Sequence, residues 1–429
     1  MISKGYDTRK NNNLFLQKIT IVLLYGLIIS SALDGWIIDS FGFDRFITGY
    51  YILLLLMILL SSLYYYIHPL LVIYFLLVLS FILMGVALNG GDEQRLFNDV
   101  RSFMRSVTLG IFTFYFICTL KNSSEHFVYY FFKLHWFGVT LFVLLDFFLG
   151  IGSGNTHGAY SYFREVNSLC FLYIISWFYL ITSKCERKKT VYTILTIIVS
   201  LLLTSKALTI LVPGLLVFYL YSKFSEKSFL KSVFVNVNLA VLMTLFVFFF
   251  SEFLTLLFWF VSNFSADGDE LLYWLEKVDI LTVLTSTRNL RVEMLLNTVV
   301  ENWSLLEIFF GKGMLYAISS GYLVESDPFD IFIAFGIFGF FLLWLPVLVM
   351  LFVLKRRKWK RSNGADKHLF LLGSTYALIF MSCMTGHVLI SPMTMITLGV
   401  LVAMIANLKL SNSSDPRHNF GEYYGRHNY

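Results

Sequence analysis

Several ionisable residues of this chain stand at the edges of apolar runs or in the polar stretches between them. They are Arg164 in GAYSYFREVNS, Lys206 in TSKA, Arg288 and Arg291 in TSTRNLRVEM, Glu325 and Asp327 in ESDPFD, and His387 in TGHVLISP. Arginine and lysine at a bilayer surface are natural clamps for phosphate, the guanidinium as a two-pronged donor and the ammonium as a point charge. Carboxylates and imidazole are the usual carriers of protons. Together the two groups could hold an anionic leaving group and take a proton from a nucleophile. Each residue also has a plainer reading. Edge cations snorkel to headgroups, Thr204 and Ser205 could cap a helix, and His387 could be a packed polar residue. Asp327 followed by Pro328 is a common helix start, with the acid at the N-cap and proline at N1. The functional reading rests on all of them converging on one face.

The elements that must position them are membrane spans. Of 429 residues, 57% are hydrophobic and only 14% charged, whereas a soluble domain is about a quarter charged. The expected fold is all-α, a polytopic membrane protein of about 12 transmembrane helices forming a single integral membrane domain over residues 1–429. The apolar segments run near 14–33, 46–67, 69–88, 104–120, 126–150, 166–182, 190–204, 207–222, 232–262, 329–353, 368–386 and 389–408. Basic clusters at the N-terminus, at 183–189, 223–231 and 355–361 orient the chain by the positive-inside rule, with both termini cytoplasmic. The first span then stays as an anchor, since no small-residue cleavage site follows it.

That orientation puts residues 263–328 outside, as one long periplasmic loop between spans 9 and 10. An amphipathic helix is expected near 288–303, with Val292, Leu295, Leu296, Val299, Val300 and Trp303 on one face and Glu293, Asn297 and Glu301 opposite. Arg288 and Arg291 border its apolar face. Arg95, Arg101 and Arg105 alternate with Asp92, Glu93 and Asp99, which reads as a solvated interfacial helix. Lys133 reads as a snorkelling lysine. Gly336 and Gly339, one turn apart, would leave a small-residue face for a lipid chain or another helix. The four cysteines have neither CxxC nor zinc spacing, and no metal or cofactor is expected.

Together these segments resemble the Wzy-type polymerases of O-antigen and capsular polysaccharide, in the O-antigen ligase-like superfamily. The resemblance rests on Arg164, Glu165 and Asn167 in FREVN, and on Thr204, Ser205, Lys206 and Ala207. It continues through Arg288, Arg291, Gly311, Lys312, Gly313, Glu325, Ser326, Asp327, Asp330, Gly336 and Gly339, and closes with Gly386 and His387. It implies polymerisation of oligosaccharide units carried on undecaprenyl diphosphate, donor and acceptor both lipid-linked, at the outer face of a bacterial inner membrane. A chain-length regulator protein is an implied partner; nucleic acid is not. Arg164, Lys206, Arg288 and Arg291 would bind the diphosphate. His387, Glu325 and Asp327 would be catalytic, with His387 favoured as base and a carboxylate orienting it or the acceptor. Ligases of the superfamily usually carry a His–Asn pair where this chain has Ser326–Asp327, which favours the polymerase branch. The rivals are a ligase acting on lipid A core, a flippase for the same lipid-linked sugars, and, more remotely, a peptidoglycan glycosyltransferase.

Overall fold

A bilayer leaves no water for unpaired backbone groups, so apolar runs of this length must close their hydrogen bonds internally as helices. A computed structural model describes residues 15–42, 46–62, 69–88, 99, 103–119, 124–150, 163, 166–184, 186–203, 205–224, 288–314, 316, 324, 326–356 and 365–412. The helices are α1 (Phe15–Tyr25), α2 (Leu27–Phe41), α3 (Phe46–Ser62), α4 (Pro69–Leu88), α5 (Arg105–Thr119), α6 (Ser124–Leu149) and α7 (Val166–Thr182). They continue with α8 (Lys189–Leu202), α9 (Lys206–Phe224), α10 (Arg288–Asn302), α11 (Leu305–Phe310), α12 (Asp327–Arg356), α13 (Ala365–Thr385) and α14 (Pro392–Asn412).

Three of these, within α6, α12 and α13, are long and apolar enough to cross a membrane alone, and α1 with α2 makes a fourth if the pair is one span. Shorter apolar helices account for most of the other expected spans, and the segment 232–262 lies outside the described residues. The first span differs from expectation. It runs on to Phe41 and bends by 57° between its arms, where the Tyr50 hydroxyl donates to the Leu23 carbonyl. At the centre stands α7, buried from Ser168 to Thr182 apart from Tyr179. Its sequence is apolar all round, as a helix enclosed by others must be. Beside it α5 and α14 pack backbone to backbone: a Cβ on Gly399 would lie 2.7 Å from the Gly110 carbonyl oxygen.

Hydrogen bonds and ion pairs sort the helix ends into two groups. At one end Asn167 of α7 meets Thr385 at the close of α13. At the other, Lys184 lies 3.7 Å from Asp366 at the start of α13, and His368 meets the carbonyl of Leu354 near the close of α12. Lys133 joins this second group. Rather than snorkelling freely, it pairs with Glu186 at 2.8 Å and with the Tyr129 hydroxyl at 2.7 Å.

The tenth apolar segment is a broken helix, which the sequence does not suggest. Gly336, at φ 63° and ψ −166°, divides α12 into a half-helix Asp327–Phe335 and a longer arm. Two carbonyls beside the break are bound by the GKG loop: the N–H of Lys312 donates to Ile333 and that of Gly313 to Ala334, at 2.9 and 2.8 Å. The small-residue face expected at Gly336 and Gly339 is thus filled by protein, the Phe309–Phe310 backbone at Gly336 and the Phe81 ring of α4 at Gly339. The solvated reading of 92–105 also fails at Asp99. Its carboxylate is buried and accepts the N–H of Met314 at 2.9 Å, so it anchors the GKG loop from below. On the flank of α12, between it and α4, lies an apolar cavity of about 450 Å3, lined by residues including Leu77, Phe81, Met84, Phe338 and Leu342.

Candidate functional site

The site assembles at the end where α5, α7, α9, α12 and α14 begin. Helix starts carry unpaired N–H groups and a partial positive charge, which favours anions nearby. Direct contacts link these starts into one network. Ser205, before α9, accepts the N–H of Leu208 and lies within hydrogen-bonding reach of Cys170 near the start of α7. This gives Ser205 the capping role open to it from sequence. Asn167, in the first turn of α7, donates its Nδ2 to the carbonyls of Thr385 and Gly386 at 2.7 and 3.2 Å. Ser106, at the start of α5, donates to the Ile390 carbonyl.

The half-helix of α12 is fastened by its own polar residues. Asp330 accepts the N–H groups of Val324 and Ser326 at 2.8 and 3.0 Å, closing the chain onto the helix start. The Ser326 hydroxyl donates to the Cys383 carbonyl at 2.8 Å. Asp327, fully buried, accepts from the Ser382 hydroxyl at 2.9 Å and from the backbone N–H groups of Val388 and Leu389 at 2.9 and 2.7 Å. Buried carboxylates need such partners. With its oxygens engaged and no solvent access, Asp327 stands as the floor of the turn at 386–391.

That turn holds His387, partly buried, in the left-handed region at φ 57°, directly after Gly386 at φ 63°. A non-glycine residue there is uncommon and marks a segment held by its surroundings. The imidazole makes no hydrogen bond to a described residue, unlike the carboxylate beneath it.

The amphipathic helix reaches the same end by apolar packing. Leu295 of α10 is buried with Val324 and Ile333, and Val292, Trp303, Phe329 and Phe332 close around them. The Trp303 and Phe332 rings stack at 5.8 Å. Arg291 is exposed on this helix, and Arg288 opens it. Lys312 is committed elsewhere, 3.1 Å from Glu307 and over the rings of Trp303 and Tyr316. Burial alone would raise the Glu307 carboxyl, but the Ser304 N–H and the Lys312 ammonium hold it below the ordinary glutamate range.

Of the residues singled out by sequence, Asp327 and the His387 turn are joined directly. Lys206 opens α9 beside the network, and Arg288 and Arg291 ride on the helix packed over the half-helix. Arg164 and Glu325 lie outside the described residues. Asn167, Ser326, Asp330 and Ser382 escaped the sequence-based set of site residues. Asn167, Ser326 and Asp330 appear in the sequence only among the residues that carry the family resemblance, and the signal open to Ser382 is a small polar side chain within an apolar run, as in MSCMTGH.

A family model described as O-antigen ligase like membrane protein matches residues 158–411, more than half of the chain. The chain belongs to this family. No curated protein matches it. For an O-antigen ligase-like membrane protein the matched stretch is apt: it contains α7, α9, α10, the broken α12 and the His387 turn. Membership places the chain among membrane enzymes of O-antigen and polysaccharide processing.

Proposed function

We propose that the protein polymerises oligosaccharide repeat units carried on undecaprenyl diphosphate, at the outer face of a bacterial inner membrane. The observation that carries this reading is the use made of Ser326 and Asp327. Where ligases usually carry a His–Asn pair, both residues here are buried and bound to α13 and its turn. On this reading His387 supplies the imidazole that serves as base.

In the proposed reaction a sugar hydroxyl of the incoming unit attacks the anomeric carbon of the growing chain. The new carbon–oxygen bond forms as the bond to the lipid diphosphate breaks, and the electron pair leaves on the diphosphate. The hydroxyl proton passes to His387. Glu325 orients the imidazole or the acceptor, and Arg164, Lys206, Arg288 and Arg291 hold the leaving diphosphate, helped by the helix starts. The apolar cavity beside α12 suits the hydrocarbon tail of the carrier.

The break at Gly336 gives the transporter reading one point in its favour, since transporters bind cargo at broken helices. Against it, two carbonyls at this break are already bound by Lys312 and Gly313, which leaves less to coordinate an ion. Deleting the gene and resolving surface polysaccharide on a gel separates the readings. Lipid A core bearing one repeat unit supports the polymerase. Accumulated lipid-linked polymer indicates a ligase, and units retained on the cytoplasmic side indicate a flippase. Orientation is tested with single cysteines in a cysteine-free protein. An impermeant maleimide should label position 302 in cells whose outer membrane alone is opened, and position 184 only after lysis; the reverse pattern would refute the placement.

A further inference from the structure

The His387 turn is held from two sides by side chains of different helices. On its N-terminal side Asn167 of α7 donates to the carbonyls of Thr385 and Gly386. On its C-terminal side Asp327 of α12 accepts the N–H groups of Val388 and Leu389. His387 is the residue between the two clamps. Its backbone sits in a left-handed conformation that L residues avoid unless held there. The chemistry of each clamp fits its partners. One amide nitrogen carries two N–H donors for two carbonyls, and one carboxylate offers lone pairs to two N–H groups and a hydroxyl. A carboxylate at position 167 would face two carbonyls with oxygen, and a side chain without an acceptor at position 327 would leave both N–H groups unpaired.

We propose that Asn167 and Asp327 are positioning residues that act through His387, fixing where its imidazole stands over the acceptor. The inference rests on the proposed role of His387 as base. Because the clamps come from α7 and α12, the imidazole position is set by the separation of those helices rather than by the turn itself. A displacement of about 1 Å at a reacting group can cost on the order of 10²-fold in rate.

The test is a double-mutant cycle on the full-length protein in nanodiscs, supplied with lipid-linked repeat units. Asn167→Asp preserves shape and sets oxygen against two carbonyls, and Asp327→Ala removes every acceptor from the two N–H groups. Each should lower kcat by on the order of 10²-fold while the donor KM changes only a few-fold. In a His387→Ala background the same substitutions should be almost silent, because residues acting as a unit are not additive. Should Asn167→Asp fail to assemble, Asn167→Ser keeps a single donor and should show a smaller loss that also vanishes without His387. Equal losses with and without His387 would overturn the inference alone and leave both residues merely structural. Wild-type turnover in His387→Ala would overturn the base assignment and this inference with it.

Discussion

Alanine at Gly336 brings two costs to one point. The angles φ 63° and ψ −166° belong to a region essentially only glycine occupies, and another residue there is strained by about 1–3 kcal/mol. The added Cβ would also lie 2.4 Å from the carbonyl carbon and oxygen of Phe309 and 2.6 Å from the nitrogen of Phe310. These are backbone atoms, so no rotamer relieves the clash, and overpacking adds about 1–3 kcal/mol. The combined loss is roughly 2–6 kcal/mol, set by how far the GKG loop can withdraw. Gly49 provides the contrast. It lies in α3, and a Cβ added there would meet nothing within 4 Å, so alanine should stabilise by about 0.4–1 kcal/mol through the unfolded chain. Thermal unfolding of purified protein in one lipid composition reads both. At about 2–4 °C per kcal/mol, Gly336→Ala should fall by roughly 4–24 °C and Gly49→Ala should hold or rise slightly. If Gly336→Ala melts with the wild type, the break and its clasp by Phe309–Gly313 are not part of the folded protein.

The apolar helices were legible where polar residues bound them. The segment expected at 126–150 is α6, Ser124–Leu149, and that expected at 104–120 is α5, Arg105–Thr119. The break in α12 was not legible. Glycine in an apolar run reads equally as a packing notch, and only the approach of Phe309 and Phe310, from another segment, decides between them. The same holds for the acids. Asp99, Asp327 and Asp330 look like solvent-facing charge because they border membrane segments. Each is instead consumed by backbone N–H groups of a distant or neighbouring turn, a pairing that spacing along the chain does not encode. His387 was legible as an ionisable group at a helix end, but the left-handed turn beneath it was not.

Three further outcomes follow from the geometry. His387→Gly and His387→Ala should both lose activity, but the glycine variant should be more stable by about 1–2 kcal/mol, because glycine carries no penalty at φ 57°; equal melting temperatures would contradict the strained turn. Burial alone would raise the Glu186 carboxyl, but hydrogen bonds from Lys133 and Tyr129 hold it below the ordinary glutamate range. Its stabilisation, about 1.5 kcal/mol because Lys133 is partly exposed, is therefore present near neutral pH and lost as the pH falls below that range. Melting of the wild type should lose its advantage over Glu186→Gln on acidification, and a gap independent of pH would refute the pairing. At the proposed diphosphate clamp, Arg288→Lys and Arg291→Lys keep the charge but lose the two-pronged donor. They should cost nearly as much turnover as alanine, on the order of 10²–10³-fold; full activity in alanine variants of Arg164, Lys206, Arg288 and Arg291 would remove the clamp.

The central claim is that this member of the O-antigen ligase-like family joins one lipid-linked unit to another. Purified protein in nanodiscs should be given radiolabelled undecaprenyl-diphosphate-linked repeat units together with an equal amount of lipid A core, and the products separated by size. The account predicts a ladder of lipid-linked oligomers, one undecaprenyl diphosphate released for each added unit, an unmodified core, and no ladder from His387→Ala. Label transferred to the core without a ladder would contradict it.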